Sequence, residues 1–177
     1  MRIVKKLFEG KRGEIFLVEI DSGTAVYKKE KPPYKFAAKE YEILRYLNGL
    51  FSPKPIALLF DGFLMEYVEG DNFKKALKEN RKMAIDLAME ACRYLDEMGV
   101  YHSQLGRYYH LMMEHKRNRI KILDFERAKL EVFGKNLPQF LGFYLKESSR
   151  DIKELLAAYK KEPALYYKIK EEILKRV

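Results

Sequence analysis

The apolar residues of this 177-residue chain fall into short alternating runs in its first third and into helical stripes afterwards. Residues 6–20 alternate around a glycine-containing turn, the period-two pattern of two short strands. Gly23 turns the chain into Thr24-Ala25-Val26-Tyr27-Lys28, a third strand, and Pro32 and Pro33 end it. From about 34 to 47, Ala37, Tyr41 and Leu44 recur on one helical face, with Ile43 and Leu47 beside them. Residues 56–60 and 63–68 predict a hairpin turned at Asp61-Gly62. Asp71 or Asn72 then caps a short helix through Leu77. A longer helix spans about 81–98, with Met83, Leu87, Ala91, Tyr94 and Met98 at helical spacing and Gly99 as its stop.

Residues 111–114 and 119–123 predict a second hairpin around a basic turn. A helix is expected to begin near Leu137. Ser148 to Asp151 has the form of a capping box with Asp in place of Glu or Gln. Ile152, Leu155, Leu156 and Tyr159 form a stripe that Pro163 breaks, and Leu165, Ile169, Ile173 and Val177 mark a last helix. The order is strands, helix, hairpin, helices, hairpin, helices. That is an α+β chain, strand-rich at its N-terminal end and helix-rich at its C-terminal end.

Composition adds three expectations. A content of 47% hydrophobic and 34% charged residues is that of a folding domain. The lone cysteine, Cys92, cannot close an internal disulfide; it reads as a small apolar filler and suggests a reducing cytosol, hence a cytoplasmic protein. The run 55–60 is far shorter than a membrane span and no secretory leader is visible, so no membrane partner is expected. The net charge of +9 suits an anionic partner such as a nucleotide, RNA or an acidic protein, and equally a surface rich in Lys and Glu.

Several segments carry candidate chemistry. Ile120-Lys121-Ile122-Leu123 ends in Asp124-Phe125-Glu126, a buried-strand pattern that delivers a carboxylate to the end of a strand. Gly10-Lys11-Arg12-Gly13-Glu14-Ile15 places two glycines on a hairpin tip, where backbone N–H groups can approach phosphates. Lys28 ends Ala25-Val26-Tyr27-Lys28, with Val26 on its face, and Lys29 is its competitor. Glu40 flanks the apolar stripe of the first helix, with Glu42 the alternative. Phe63-Leu64-Met65-Glu66-Tyr67-Val68-Glu69-Gly70 leaves the second hairpin strand, and Leu95 to His102 leads out of the long helix.

In this order and spacing the segments resemble the protein-kinase-like superfamily over residues 5–130, most closely the small archaeal predicted serine/threonine (RIO-like) kinases. The resemblance implies a two-lobed fold in a single domain over 1–177. Its small antiparallel-sheet N-lobe would cover about 1–65, a hinge about 66–70, and a reduced, mostly helical C-lobe about 71–177. ATP would lie in the interlobe cleft. Gly10, Gly13 and Ile15 would cover it, with Val26 beside Lys28. Lys28, braced by Glu40, would grip the α and β phosphates, and Met65, Glu66 and Val68 would flank the base. Asp124 would hold Mg²⁺, or Mn²⁺ in its place.

The chain also departs from that pattern. Where the family's catalytic loop has His-Arg-Asp or His-Gly-Asp, this sequence reads His102-Ser103-Gln104, so an amide replaces the acid. The position of the second magnesium-binding Asn falls on Tyr109, with His110 next to it; imidazole is a poor magnesium ligand. Glu126 replaces a glycine and reads either as a metal ligand or substitute base, or as the ion-pair partner of Arg127, Arg107 or a lysine. No Ala-Pro-Glu segment for seating a peptide follows. The expected activity is γ-phosphoryl transfer to a protein acceptor or to the chain itself. The alternatives are a nucleotide-binding pseudokinase or scaffold, and an RNA-linked or small-molecule phosphotransferase or ATPase. Arg107, Lys116, Arg117 and Arg119 are the basic candidates for RNA.

Overall fold

A computed structural model describes residues 1–145 and 149–177. Ser148 of the expected capping box lies outside the described residues. The chain is α+β, with six α-helices and a five-stranded antiparallel sheet among the described residues. It divides into two compact units: 1–69 with 124–126, and 70–123 with 127–177. None of its helices, among the described residues, is long and apolar enough to cross a membrane.

In the first unit, β1 (Arg2–Glu9), β2 (Gly13–Ile20), β3 (Gly23–Glu30), β4 (Pro55–Leu59) and β5 (Gly62–Glu66) build one sheet in the order β1-β2-β3-β5-β4. Register decides what each face carries, because residues opposite one another project to the same side. Ile15, Lys28 and Phe63 form one row, and Leu17, Val26 and Met65 the next row on that face. The other face buries Phe16, Val18, Ala25, Tyr27 and Leu64, with Ile20, Ala57 and Leu59 against them. Edge strand β1 is exposed along its whole length, and charged side chains protect it: Lys6 pairs with Glu9 at 2.8 Å and with Glu14 at 2.5 Å.

Helix α1 (Ala37–Leu47) lies on the Lys28 face, where Tyr41 meets the Phe63 ring edge-on at 6.1 Å. Its buried stripe is Glu40, Ile43, Leu44 and Leu47, so Glu40 occupies the stripe itself rather than its flank. The helix begins three residues later than the pattern predicts. The Phe36 N–H donates to the Glu30 carboxylate and pins the chain back to the end of β3. The first helical bond therefore runs from Glu40 N to Phe36 O at 2.9 Å. Asn48 (φ +50°) and Gly49 (φ +71°) end it in left-handed backbone.

The β4–β5 turn also differs from expectation. Leu59 pairs with Gly62, so the turn residues are Phe60 and Asp61 and Gly62 belongs to the strand. A Cβ at Gly62 would collide with the Lys28 carbonyl, and glycine is what allows β5 to approach β3 there.

The second unit opens on β6 (Gly70–Asn72), which pairs with β7 (Leu111–Glu114), itself paired with β8 (Arg119–Ile122). Asn72 caps α2 (Phe73–Glu79), accepting from Lys75 N at 3.2 Å. Helix α3 (Arg81–Glu97) ends at Gly99 (φ +66°) as expected, but its buried face is rotated from the predicted stripe. Met83 is exposed and Leu87 and Tyr94 are half-buried, while Ala84, Ile85, Ala88, Met89, Ala91, Cys92 and Leu95 form the core. The small residues Ala84, Ala88 and Ala91 set that face, because they let neighbouring elements come close. Helices α4 (Asn136–Tyr144), α5 (Arg150–Tyr159) and α6 (Tyr166–Leu174) complete the unit, with Ile152, Tyr159, Tyr166, Ile169 and Ile173 buried.

Because Gly62 lies directly against the strand that carries Lys28, Gly62→Ala should destabilise the protein by about 2 kcal/mol. Chemical denaturation of the variant beside wild type measures this. An unchanged midpoint would mean that β3 and β5 separate without cost.

Candidate functional site

The register of β3 aims Lys28 toward α1, and there it meets two carboxylates. Its Nζ lies 2.7 Å from Glu40 Oε2 and 2.8 Å from Asp124 Oδ1. Lys29, the competitor, points elsewhere and pairs with Asp61 at 3.5 Å. Glu42, the competitor of Glu40, is exposed and pairs with Arg45. Glu40 is only 2% exposed, whereas Asp124 is 37% exposed. The second oxygen of Glu40 accepts the Phe125 N–H at 3.0 Å. One buried carboxylate thus fixes both the lysine and the backbone beside Asp124.

Asp124 itself has φ +64°, a left-handed conformation uncommon outside glycine and best tolerated by Asp and Asn. Phe125 is fully buried and anchors the segment. Burial works to lower the pKa of Lys28, but the charges and hydrogen bonds of Glu40 and Asp124 outweigh it and raise the value. Burial raises the pKa of Glu40, with Lys28 opposing. Lys28 therefore stays charged, shared between two acids.

The hairpin tip comes next. Gly10 N donates to Gly13 O at 2.9 Å, closing the turn between β1 and β2. A Cβ at Gly13 would collide with the Lys29 carbonyl, so strand packing already accounts for this glycine. Ile15 stands opposite Lys28, and Val26 opposite Met65, so these three apolar side chains share the Lys28 face with Leu17, which pattern reading passed over. Glu126 pairs with Arg12 of the tip, a partner that the sequence did not suggest. Glu66 is tied to Lys54, its N–H donating to the Lys54 carbonyl (2.8 Å) and its carboxylate accepting from Lys54 N (3.0 Å). Val68 is half-buried in the segment after β5.

In the second unit, His102 and His110 are both buried, and both hold Leu123. His102 Nε2 lies 2.9 Å from the Leu123 carbonyl, which can only accept, so that nitrogen carries the proton. The Leu123 N–H donates to the His110 carbonyl at 2.8 Å. The His102 N–H donates to Asn136 Oδ1 (2.9 Å). Asn136 in turn donates from N and Nδ2 to Asp96 (both 2.8 Å), and Leu137 N adds a third bond at 3.1 Å. Burial raises the pKa of Asp96 against these donors.

Gln104, oriented so that its amide is satisfied, accepts from the Arg107 guanidinium at 3.2 and 3.3 Å. Arg119 is bound to Glu114 at 2.7 Å and the exposed Arg117 lies 3.9 Å from the same carboxylate, so these two basic candidates share one acid and keep a net positive charge. Among the described residues no three His, Cys, Asp or Glu side chains converge as a metal-ligand group. The His110 ring packs against Tyr109 (4.6 Å) and His102 (5.5 Å).

Arg12, Asp96 and Asn136 were not singled out by sequence reasoning. Asp96 did leave a signal, an acid in line with the apolar residues of α3, as Glu40 is in α1. Comparison of the sequence with protein-family models and with curated proteins finds no match.

Removing the shared lysine leaves Glu40 buried without its cation. Lys28→Met should therefore cost about 3 kcal/mol near pH 7. In the variant, the folded-state pKa of Glu40 rises further above its unfolded value of 4.5. A group with a raised folded pKa loses stability as pH climbs from the unfolded value through the folded one. The deficit against wild type should accordingly shrink as pH is lowered toward 4.5. Urea titrations at several pH values read this out; a deficit independent of pH would show that Glu40 carries no buried charge.

Proposed function

We propose that the chain is an atypical ATP-dependent kinase of the serine/threonine protein-kinase-like class, with a two-lobed fold of that type. The observation that carries this reading is Lys28 held between Glu40 and Asp124. A lysine fixed by a buried glutamate, next to a half-exposed aspartate in strained backbone, is an arrangement suited to gripping a polyphosphate. Asp124 offers the kind of oxygen ligand that Mg²⁺ takes while keeping several of its waters, and Mn²⁺ suits the same donor. His110, a buried imidazole packed on other rings, suits magnesium poorly and is left out of the metal site. Held by Asp124, the cation would supply neutralisation of phosphate charge.

In this reading Lys28 orients the α and β phosphates, and the apolar row of Ile15, Val26 and Met65 lies beside the base. The acceptor is a Ser or Thr hydroxyl of a protein or of the chain itself. Its oxygen bonds to the γ-phosphorus as the bond to the β-phosphate oxygen breaks, and its proton passes to water or to the transferred group. Gln104, whose carbonyl accepts from Arg107, cannot accept that proton. Loss of a base slows such a step by about 10²–10⁴-fold without abolishing it, since positioning and charge neutralisation carry most of the catalysis. His102 serves as a support for Leu123 rather than as a proton carrier.

The Gln104–Arg107 pair favours one further reading, a nucleotide-binding pseudokinase. An RNA-linked role draws less support, because Arg119, one of its basic candidates, is held by Glu114 at 2.7 Å.

The test is transfer from γ-labelled ATP with Mg²⁺ or Mn²⁺ by wild type, Asp124→Asn and Lys28→Ala, reading labelled protein and free phosphate together. Labelled protein, lost at least a hundredfold in both variants, is the expected result. Free phosphate alone would make the chain an ATPase. No turnover, with ATP still raising the melting temperature of wild type, would replace the kinase by a pseudokinase.

A further inference from the structure

We propose that Arg12 is a second phosphate-gripping cation of this site and that Glu126 is its holder when no phosphate is bound; the inference rests on the nucleotide reading above. The hairpin tip is built so that a side chain, not the main chain, meets an anion. The Gly10 N–H is spent on the Gly13 carbonyl. The ring of Phe8 lies over Gly10, close enough that a Cβ there would stand 2.9 Å from it. Main-chain approach at this end of the tip is therefore covered.

Arg12 projects from the same turn and is positioned from three sides. Its carbonyl accepts the Lys31 N–H at 2.8 Å, and its guanidinium lies 5.9 Å from the centre of the Phe36 ring and pairs with Glu126. Arg12 is 37% exposed and Glu126 only 13%, so solvent reaches the cation more readily than its partner. Glu126 follows Asp124 by two residues, and Asp124 holds Lys28. The two cations are thus bound to carboxylates of one short segment. The planar guanidinium presents paired donors that match phosphate oxygens. An oligophosphate held by Lys28 takes Arg12 over from Glu126. Arg12 so makes the site selective for long phosphate chains.

Calorimetric titration of adenosine, AMP, ADP and ATP, with Mg²⁺ present, into wild type, Arg12→Ala, Arg12→Lys and Glu126→Gln tests this. Arg12→Ala should weaken ATP about ten- to a hundredfold while changing adenosine less than about twofold. Arg12→Lys keeps the charge but not the fork and should fall between. Glu126→Gln removes the competing carboxylate and should tighten ATP. Equal losses for adenosine and ATP in Arg12→Ala would make Arg12 a fold residue only. Unchanged ATP affinity in Arg12→Ala would overturn the proposal and leave the nucleotide reading intact. Wild type binding none of the four ligands would overturn both. Weaker ATP binding by Glu126→Gln would overturn the holder role of Glu126.

Discussion

The first unit depends on one buried carboxylate making two commitments. Glu40 has one oxygen on the Lys28 ammonium and the other on the Phe125 N–H. Burying a carboxylate is costly unless its charge and lone pairs are met, and here both are. The same group therefore joins a strand, a helix and a segment distant in sequence. Asp124 can hold left-handed backbone because Phe125, its neighbour, is fixed both by that hydrogen bond and by full burial of its ring. Any change that moves α1 along the sheet face would move Lys28 and Asp124 with it.

A parallel constraint organises the second unit. Asp96 lies on the buried face of α3 and collects donors from Asn136 and Leu137, and Asn136 passes the connection on to Val100 O and His102 N. The two histidines then grip Leu123 from opposite ends of its peptide framework. Each unit thus places a carboxylate in an apolar stripe and uses it to fix a loop.

This regularity says what was legible in the sequence. Alternation locates most of the strands, though not the first residues of β1 or the short β6, and the choice of Lys28 over Lys29 follows from which residues share the face of Val26. Glu40 could be singled out because it stood near an apolar stripe. Asp96 stands within one just as plainly, but the large residues Met83, Leu87 and Tyr94 suggest a different stripe for α3. The actual face is lined with alanines, whose small size gives a weak hydrophobic signal and a strong packing one. The start of α1 and the β4–β5 turn are likewise not legible in local pattern. Both are decided by contacts across strands, Glu30 with Phe36 and Gly62 with Lys28, and not by local preference. The Arg12–Glu126 pair spans 114 residues, and no pattern within a window of sequence could announce it.

The ionised groups joined in this cluster are two cations, Lys28 and Arg12, and three anions, Glu40, Asp124 and Glu126. Counted as charges, the cluster carries one negative charge in excess. On the nucleotide reading proposed above, a bare polyanion would meet a cluster with more acid than base, whereas a divalent cation would meet a deficit it could fill. Uptake of one would then improve the affinity for the other, and by linkage the improvement would be the same in both directions. Metal and anion would behave as a single ligand in two pieces.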